Sequence, residues 1–156
     1  MKAITILQPW TSLIACGEKK IETRSWETKY RGKIAIHAGK KYQNPFEVSQ
    51  EIFTNICRCL RIKKLDDWHD LERGKVIAIA DLVDCIKIDA YHFNTKGAIN
   101  GIWLVNGDYI EGIELDFGDY TIGRYAWILE NVQRINPVPA RGQQRLWNWD
   151  EKLAGG

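Results

Sequence analysis

Long apolar runs are missing from this sequence. Its longest uncharged apolar stretches stop far short of the ~20 residues that a bilayer-crossing helix needs. The opening MKAITILQPW reaches Gln8 and Pro9 before it can supply the ~7–15 apolar residues of a secretory leader. Such a chain is expected to be soluble, to keep clear of membranes and to work in the cytoplasm. Cysteine is sparse too, at four in 156 residues, and a chain long enough to build a core has no need of a disulfide framework. Cys57 and Cys59 stand close together, but no second Cys or His pair completes a zinc-ligand spacing, and helix positions i and i+2 do not face each other. Cys16, Cys57, Cys59 and Cys85 are expected as free thiols without metal, and no cofactor is expected. There is no Ser/Pro-rich or low-complexity stretch to act as a linker and no internal repeat, so residues 1–156 read as one domain.

What the chain does have is enough apolar content, 45%, to enclose one core at this length. Its net charge of +2 hides an asymmetry. Residues 1–42 hold nine Lys/Arg against three acids, or +6, while the remainder holds thirteen bases against seventeen acids, or −4. An anionic partner should therefore meet the N-terminal third. A solvated basic face would leave the same trace.

Ala3 to Leu7 reads as a strand, followed by a helix from Pro9 to Gly17 in which proline suits the first turn. Lys20 to Arg24 and Lys33 to Ala38 read as extended. Asn44, Pro45 and Glu47 look like the cap and first turn of a helix whose apolar stripe runs Phe46, Ile52, Phe53, Ile56, Cys57 and Leu60. VIAIADLVDCIKI after Gly74 is a long or bent central strand. Asn106 to Asp119 carries five acids and no base and reads as an acidic loop with room for a short edge strand. Tyr125 to Ile135 is the last strand, before an extended tail and the aromatic LWNW. Five or six strands with two main helices predict an α+β barrel rather than a parallel doubly wound sheet.

The residues that could carry function cluster early. Gln8, Trp10, Lys19, Glu22, Arg24 and Trp26 combine cations for phosphate, an amide for base edges and indoles for stacking. Buried tryptophans and a Glu22–Arg24 ion pair that merely organises a sheet would fit the same residues. Strand alternation sends Lys20, Glu22 and Arg24 to one face and Lys19, Ile21 and Thr23 to the other. His37, with Lys40 nearby, ends a strand and suits either general acid/base work or a structural hydrogen bond. Arg124 and Tyr125 open the last strand, where Arg124 could clamp phosphate while Trp127 is core.

Four blocks, LQPWTSLIACGEKKIETRSW, YRGKIAIHAGK, FGDYTIGRYAWILENV and RGQQRLWNW, resemble the activating signal cointegrator homology (ASCH) family over nearly the whole chain. The most specific shared element is G-x-K-x-x-E-x-R, present as Gly17, Lys19, Glu22 and Arg24. The resemblance implies a PUA-like β-barrel, here of five to six mostly antiparallel strands with two main helices packed against it. It also implies a cleft between barrel and helices and a role in binding RNA, other nucleic acid or a modified nucleoside. The family's cleft residues would be Lys19, Glu22 and Arg24, with Trp10, Trp26 and His37 as neighbours. One branch resembles amidohydrolases of acetylated cytidine, in which a threonine works beside the motif lysine. That position is Glu22 here, and Thr23, one residue on, turns to the other face of a strand.

The leading expectation is an RNA- or nucleotide-binding module using Gln8, Trp10, Lys19, Glu22, Arg24, Trp26, His37, Lys40, Arg124 and Tyr125. The alternative is a small hydrolase, amidase or ribonuclease, with Lys19, Glu22 and His37 as its catalytic groups. An interaction domain without a ligand is the third reading.

Overall fold

The computed structural model describes residues 1–152, so the last four residues of the expected 1–156 domain lie outside the described residues. In chain order the strands and helices are β1 (Lys2–Gln8), α1 (Trp10–Ala15), β2 (Ile21–Arg24), β3 (Gly32–Tyr42), α2 (Gln50–Leu60), α3 (Leu65–His69), β4 (Lys75–Phe93), β5 (Ile99–Leu104), β6 (Tyr109–Glu111), β7 (Tyr125–Pro139) and β8 (Leu146–Asn148). This is an α+β chain made mostly of sheet with few helices. It divides into two compact units, one formed by Met1–Lys19, Lys33–Asp81 and the chain from Asn131 onward, the other by Lys20–Gly32 and Leu82–Glu130.

In the first unit β1 is the hub. It runs parallel to β3, with Ala3 opposite Ala35 and Thr5 opposite His37, and antiparallel to β8, with Ala3 opposite Trp147. β4 lies on the far side of β3. Alternation along these strands buries Ala3, Ala35, Val76, Trp147 and Trp149 as one core cluster. In the second unit β7 pairs with β2 and β4, β4 with β5, and β5 with β6. The cluster of Ile21, Ile86, Ile88, Ile102, Leu104, Ile110, Tyr120 and Ala126 fills it.

Two expectations change. Eight strands replace the expected five or six, because LWN adds β8 to the edge of β1 and Ile99–Leu104 forms β5 between β4 and the short edge strand β6. The barrel does not close: β8 in the first unit, and β2 and β6 in the second, each have a strand neighbour on one side only among the described residues.

The expected helix from Asn44 is also two elements. Asn44 caps a single 3-10 turn, Pro45–Glu47; Val48 and Ser49 then return to extended backbone, and the Ser49 hydroxyl accepts from Ile52 N–H to start α2. Phe46 therefore leaves the apolar stripe and stands 80% exposed. The stripe that remains turns inward around Ile56, and Phe53 stacks on the buried Trp68 of α3 at 5.7 Å. All four cysteines are free thiols.

Arg61 ends α2 in the left-handed region, at φ 56 and ψ 38. A side chain there costs ~1–2 kcal/mol, partly offset by the ~0.5–1 kcal/mol of extra chain entropy that glycine loses on folding. Arg61→Gly is thus expected to stabilise the protein by ~0.5–1 kcal/mol in urea unfolding. An unchanged or lower midpoint would count against this account of the helix end.

Candidate functional site

The expected site residues fall on both units. Gln8, Trp10, Lys19, His37 and Lys40 belong to the first, and Glu22, Arg24, Trp26, Arg124 and Tyr125 to the second.

Gln8 is fully buried and spends its amide on the fold, donating to the Glu72 carbonyl at 2.7 Å and accepting from the Ser12 N–H at 3.0 Å. The second of these bonds satisfies a donor at the start of α1, which Trp10 opens in a half-buried position. Lys19 follows α1 and is 1% exposed. His37 is equally buried. Its Nε2 lies 2.8 Å from the Ala140 carbonyl, which can only accept, so the donor inventory assigns the ring proton to Nε2. Nδ1, 3.1 Å from Thr5 Oγ1, then accepts the threonine hydroxyl. Thr5 Oγ1 accepts in turn from the Trp147 indole N–H at 3.1 Å, whose ring meets His37 edge to face at 5.4 Å. Burial holds the His37 pKa below its ordinary value, against the upward pull of the Ala140 carbonyl.

This hydrogen-bonded floor underlies a cleft of about 420 Å³ lined by Thr5, His37, Gly39, Lys40, Ala140, Arg141, Gly142, Gln143 and Gln144. Lys40, Arg141, Gln143 and Gln144 are exposed, and among the described residues no acidic one lines the space. Local backbone explains the placement. Gly74, at φ +67, donates to the Ala38 carbonyl and accepts from the Ala140 N–H, tying the end of β3 to the segment after β7. Gly142 packs so closely on the floor that an added Cβ would stand 2.6 Å from His37 Cε1 and 2.7 Å from Thr5 Oγ1. Sequence reasoning passed over Arg141, Gln143 and Gln144. The signal was present in RGQQR, whose central glycine lets a polar loop lie directly on a strand.

In the second unit β2 pairs antiparallel with β7, setting Glu22 opposite Trp127 and Arg24 opposite Tyr125. Glu22 and Arg24 share a face and form an ion pair at 3.1 Å, with Glu22 buried and Arg24 partly exposed. Trp26 presents an edge contact to the fully buried Trp127 at 4.7 Å, and its carbonyl accepts the Trp127 indole N–H. Tyr125 is half-buried. Arg124, expected as a phosphate clamp, is occupied within the protein: Nε donates to the Asp119 carbonyl at 3.0 Å and Nη2 to the Thr23 carbonyl at 3.3 Å. It fastens the loop at Asp119 to β2, helped by the Asp119 N–H donating to Thr23 Oγ1. The Asp119 carboxyl is held below the usual carboxylate range, chiefly by the Thr121 hydroxyl and also by Arg124.

Charge separates with the units. The first holds fifteen Lys/Arg against ten Asp/Glu, or +5, and the second seven against ten, or −3.

A mostly β, α+β fold with a cationic cleft over a neutral buried histidine is the class to which these features assign the protein. The ASCH domain model matches residues 4–139, and the chain belongs to that family. It is 27% identical over 154 residues to the human protein described as "Activating signal cointegrator 1", and equally to its mouse counterpart. The match takes in 98% of this chain but only 23% of each relative's length. Among solved structures, an ASCH protein from Zymomonas mobilis shares the fold at a TM-score of 0.50 and 14% identity, with 99% of this chain and 90% of that one covered.

Two measurements test the floor of the cleft. Because the folded His37 pKa lies below the unfolded one, the unfolded chain binds the proton more readily. Stability should therefore fall as pH drops from ~6.5 toward the lowered folded value, and it should be insensitive to this group above ~6.5. His37→Gln should flatten that stretch of the stability–pH curve, whatever its own baseline. Gly142→Ala should destabilise by ~1–3 kcal/mol through overpacking. A neutral alanine variant would show that the loop does not rest where it is described.

Proposed function

We propose that this protein binds single-stranded RNA, or a nucleotide-like fragment of it, through the cationic cleft of the first unit. One observation carries the reading: Lys40 and Arg141 line the cleft with the carboxamides of Gln143 and Gln144 and with no acid, in a unit of net charge +5. Exposed cations supply phosphate contacts and carboxamides can meet base edges in both hydrogen-bonding senses. A volume of about 420 Å³ falls in the range of small-ligand pockets. Membership of the ASCH family supports nucleic-acid interaction in general.

At a finer grain, the Glu22 and Arg24 part of the motif is proposed as a separate recognition element of the second unit, with Glu22 offering a carboxylate to base donors while Arg24 holds its geometry. Direct phosphate contact falls first to Lys40 and Arg141, which are exposed, rather than to Lys19 at 1% exposure. Trp26, half-buried in the second unit, is proposed as a separate stacking surface. The hydrolase reading gains no comparable support, because both ring nitrogens of His37 are already engaged.

Titration of labelled single-stranded RNA at several salt concentrations tests the reading. Lys40→Ala and Arg141→Ala should each weaken binding by ~1–3 kcal/mol and lower the salt slope by about one. Trp26→Ala should weaken it by a similar ~1–3 kcal/mol with the slope nearly unchanged, since no charge is lost. Equal affinity in all three variants, or no binding by the unaltered protein, would defeat the proposal.

A further inference from the structure

The second unit carries an aromatic surface that nucleic-acid binding leaves unused. On the outer face of its β4-β5-β6 sheet, register places Trp103 opposite Tyr109 and Gly101 opposite both His92 and Glu111. The buried partners on these strands, Ile102 and Ile110, pair with each other and point the other way, into the core cluster. Trp103 is 41% exposed and lies 4.5 Å from Tyr109 between ring centroids, tilted by 41°. His92 meets Tyr109 at 5.9 Å and nearly at right angles, with its Nδ1 held 2.6 Å from Asn100 Oδ1. Gly101 is the seat of the cluster, since any side chain there would overlap the Tyr109 ring.

Charge selects the occupant. The unit carries −3, and residues 106–119, which contain β6, hold five acids and no base. Glu111 shares the aromatic face, two residues beyond Tyr109. Such a field repels phosphate and attracts cations, and tilted indole and phenol faces backed by carboxylates are chemistry suited to ammonium or guanidinium groups. β6 pairs with β5 alone among the described strands, so its outer edge offers backbone donors and acceptors to an extended chain.

We propose that this face is a docking surface for an extended, lysine- or arginine-bearing peptide segment of a partner protein. The segment adds to the β6 edge, one cationic side chain lies on Trp103 and Tyr109, and Glu111 compensates its charge. The proposal stands independently of RNA binding, whose proposed contacts are other residues.

The test is titration of the intact protein with a short labelled peptide of alternating lysine and threonine, against a glutamate-for-lysine counterpart. The basic peptide should bind and the acidic one should not. Trp103→Ala and the charge reversal Glu111→Lys should each lower affinity about tenfold or more, while RNA affinity and the circular dichroism spectrum stay unchanged. Both positions are exposed, and the second keeps every aromatic in place, so folding damage in one variant does not remove the test. Equal peptide affinity in wild type and both variants, or no peptide binding at all, overturns the proposal. So does loss of RNA binding in Trp103→Ala, which would give the face to RNA. Concentration-dependent dimerisation abolished by that substitution would give it to a second copy of the chain.

Discussion

The hydroxyl of Thr5 is the point on which the first unit depends. It accepts from Trp147 and donates to His37, whose other nitrogen donates to Ala140, so β1, β3, the segment after β7 and β8 meet in one chain of hydrogen bonds. The partners lie 32, 103 and 142 residues apart in sequence. Each bond contributes only about 0.5–1.5 kcal/mol net, but breaking one leaves a buried donor or acceptor unpaired at a cost of ~1–3 kcal/mol. The ends of the relay are fixed, because the indole can only donate and the carbonyl only accept. The Ala140 carbonyl fixes a proton on His37 Nε2, and burial favours the neutral ring whose Nδ1 accepts from Thr5. Arg141 stands between Ala140, which the relay anchors, and Gly142, which has no room for a side chain, so the cation of the cleft is positioned from both sides.

A net charge of +2 describes neither unit. The +5 and −3 that compose it arise because chain segments distant in sequence assemble by unit, and the two surfaces are suited to partners of opposite sign. Cations concentrate where carboxamides and glycine backbone accompany them, and acids concentrate beside exposed aromatics. Fold and electrostatics are thereby linked: the pairing of β5 with β6 that buries Ile102 and Ile110 also sets Trp103, Tyr109 and Glu111 on one face.

Much of this was legible from periodicity. Alternation identified β3, placed Trp127 in the core and put Glu22 and Arg24 on one face, where they form an ion pair, while a β-branched-rich run marked the single long β4. The features that escaped are those decided by distant partners. Three-residue β8 exists because Met1 to Ile4 offers it an edge, and LWNW alone carries no sign of that. Phe46 fits the helical stripe of α2 by spacing, but the break at Val48 removes it. Arg124 has the composition of a phosphate clamp, and only the return of Asp119 to β2 turns it into a structural brace. Arg141, Gln143 and Gln144 gain meaning only once Gly142 is seated on His37.

The chemistry of the cleft follows from the same constraint. A site that breaks bonds by proton transfer needs a group free to take up or release a proton near neutral pH. Among the described residues, the titratable side chains lining the space are His37, Lys40 and Arg141. Arginine keeps its proton, and His37 can gain one only by working against its burial and by turning the Thr5 hydroxyl from donor to acceptor. The lining offers cationic donors and carboxamides to a ligand but no carboxylate and no open imidazole nitrogen. Such a set is chemically matched to phosphate and base edges, the ligand groups proposed for it.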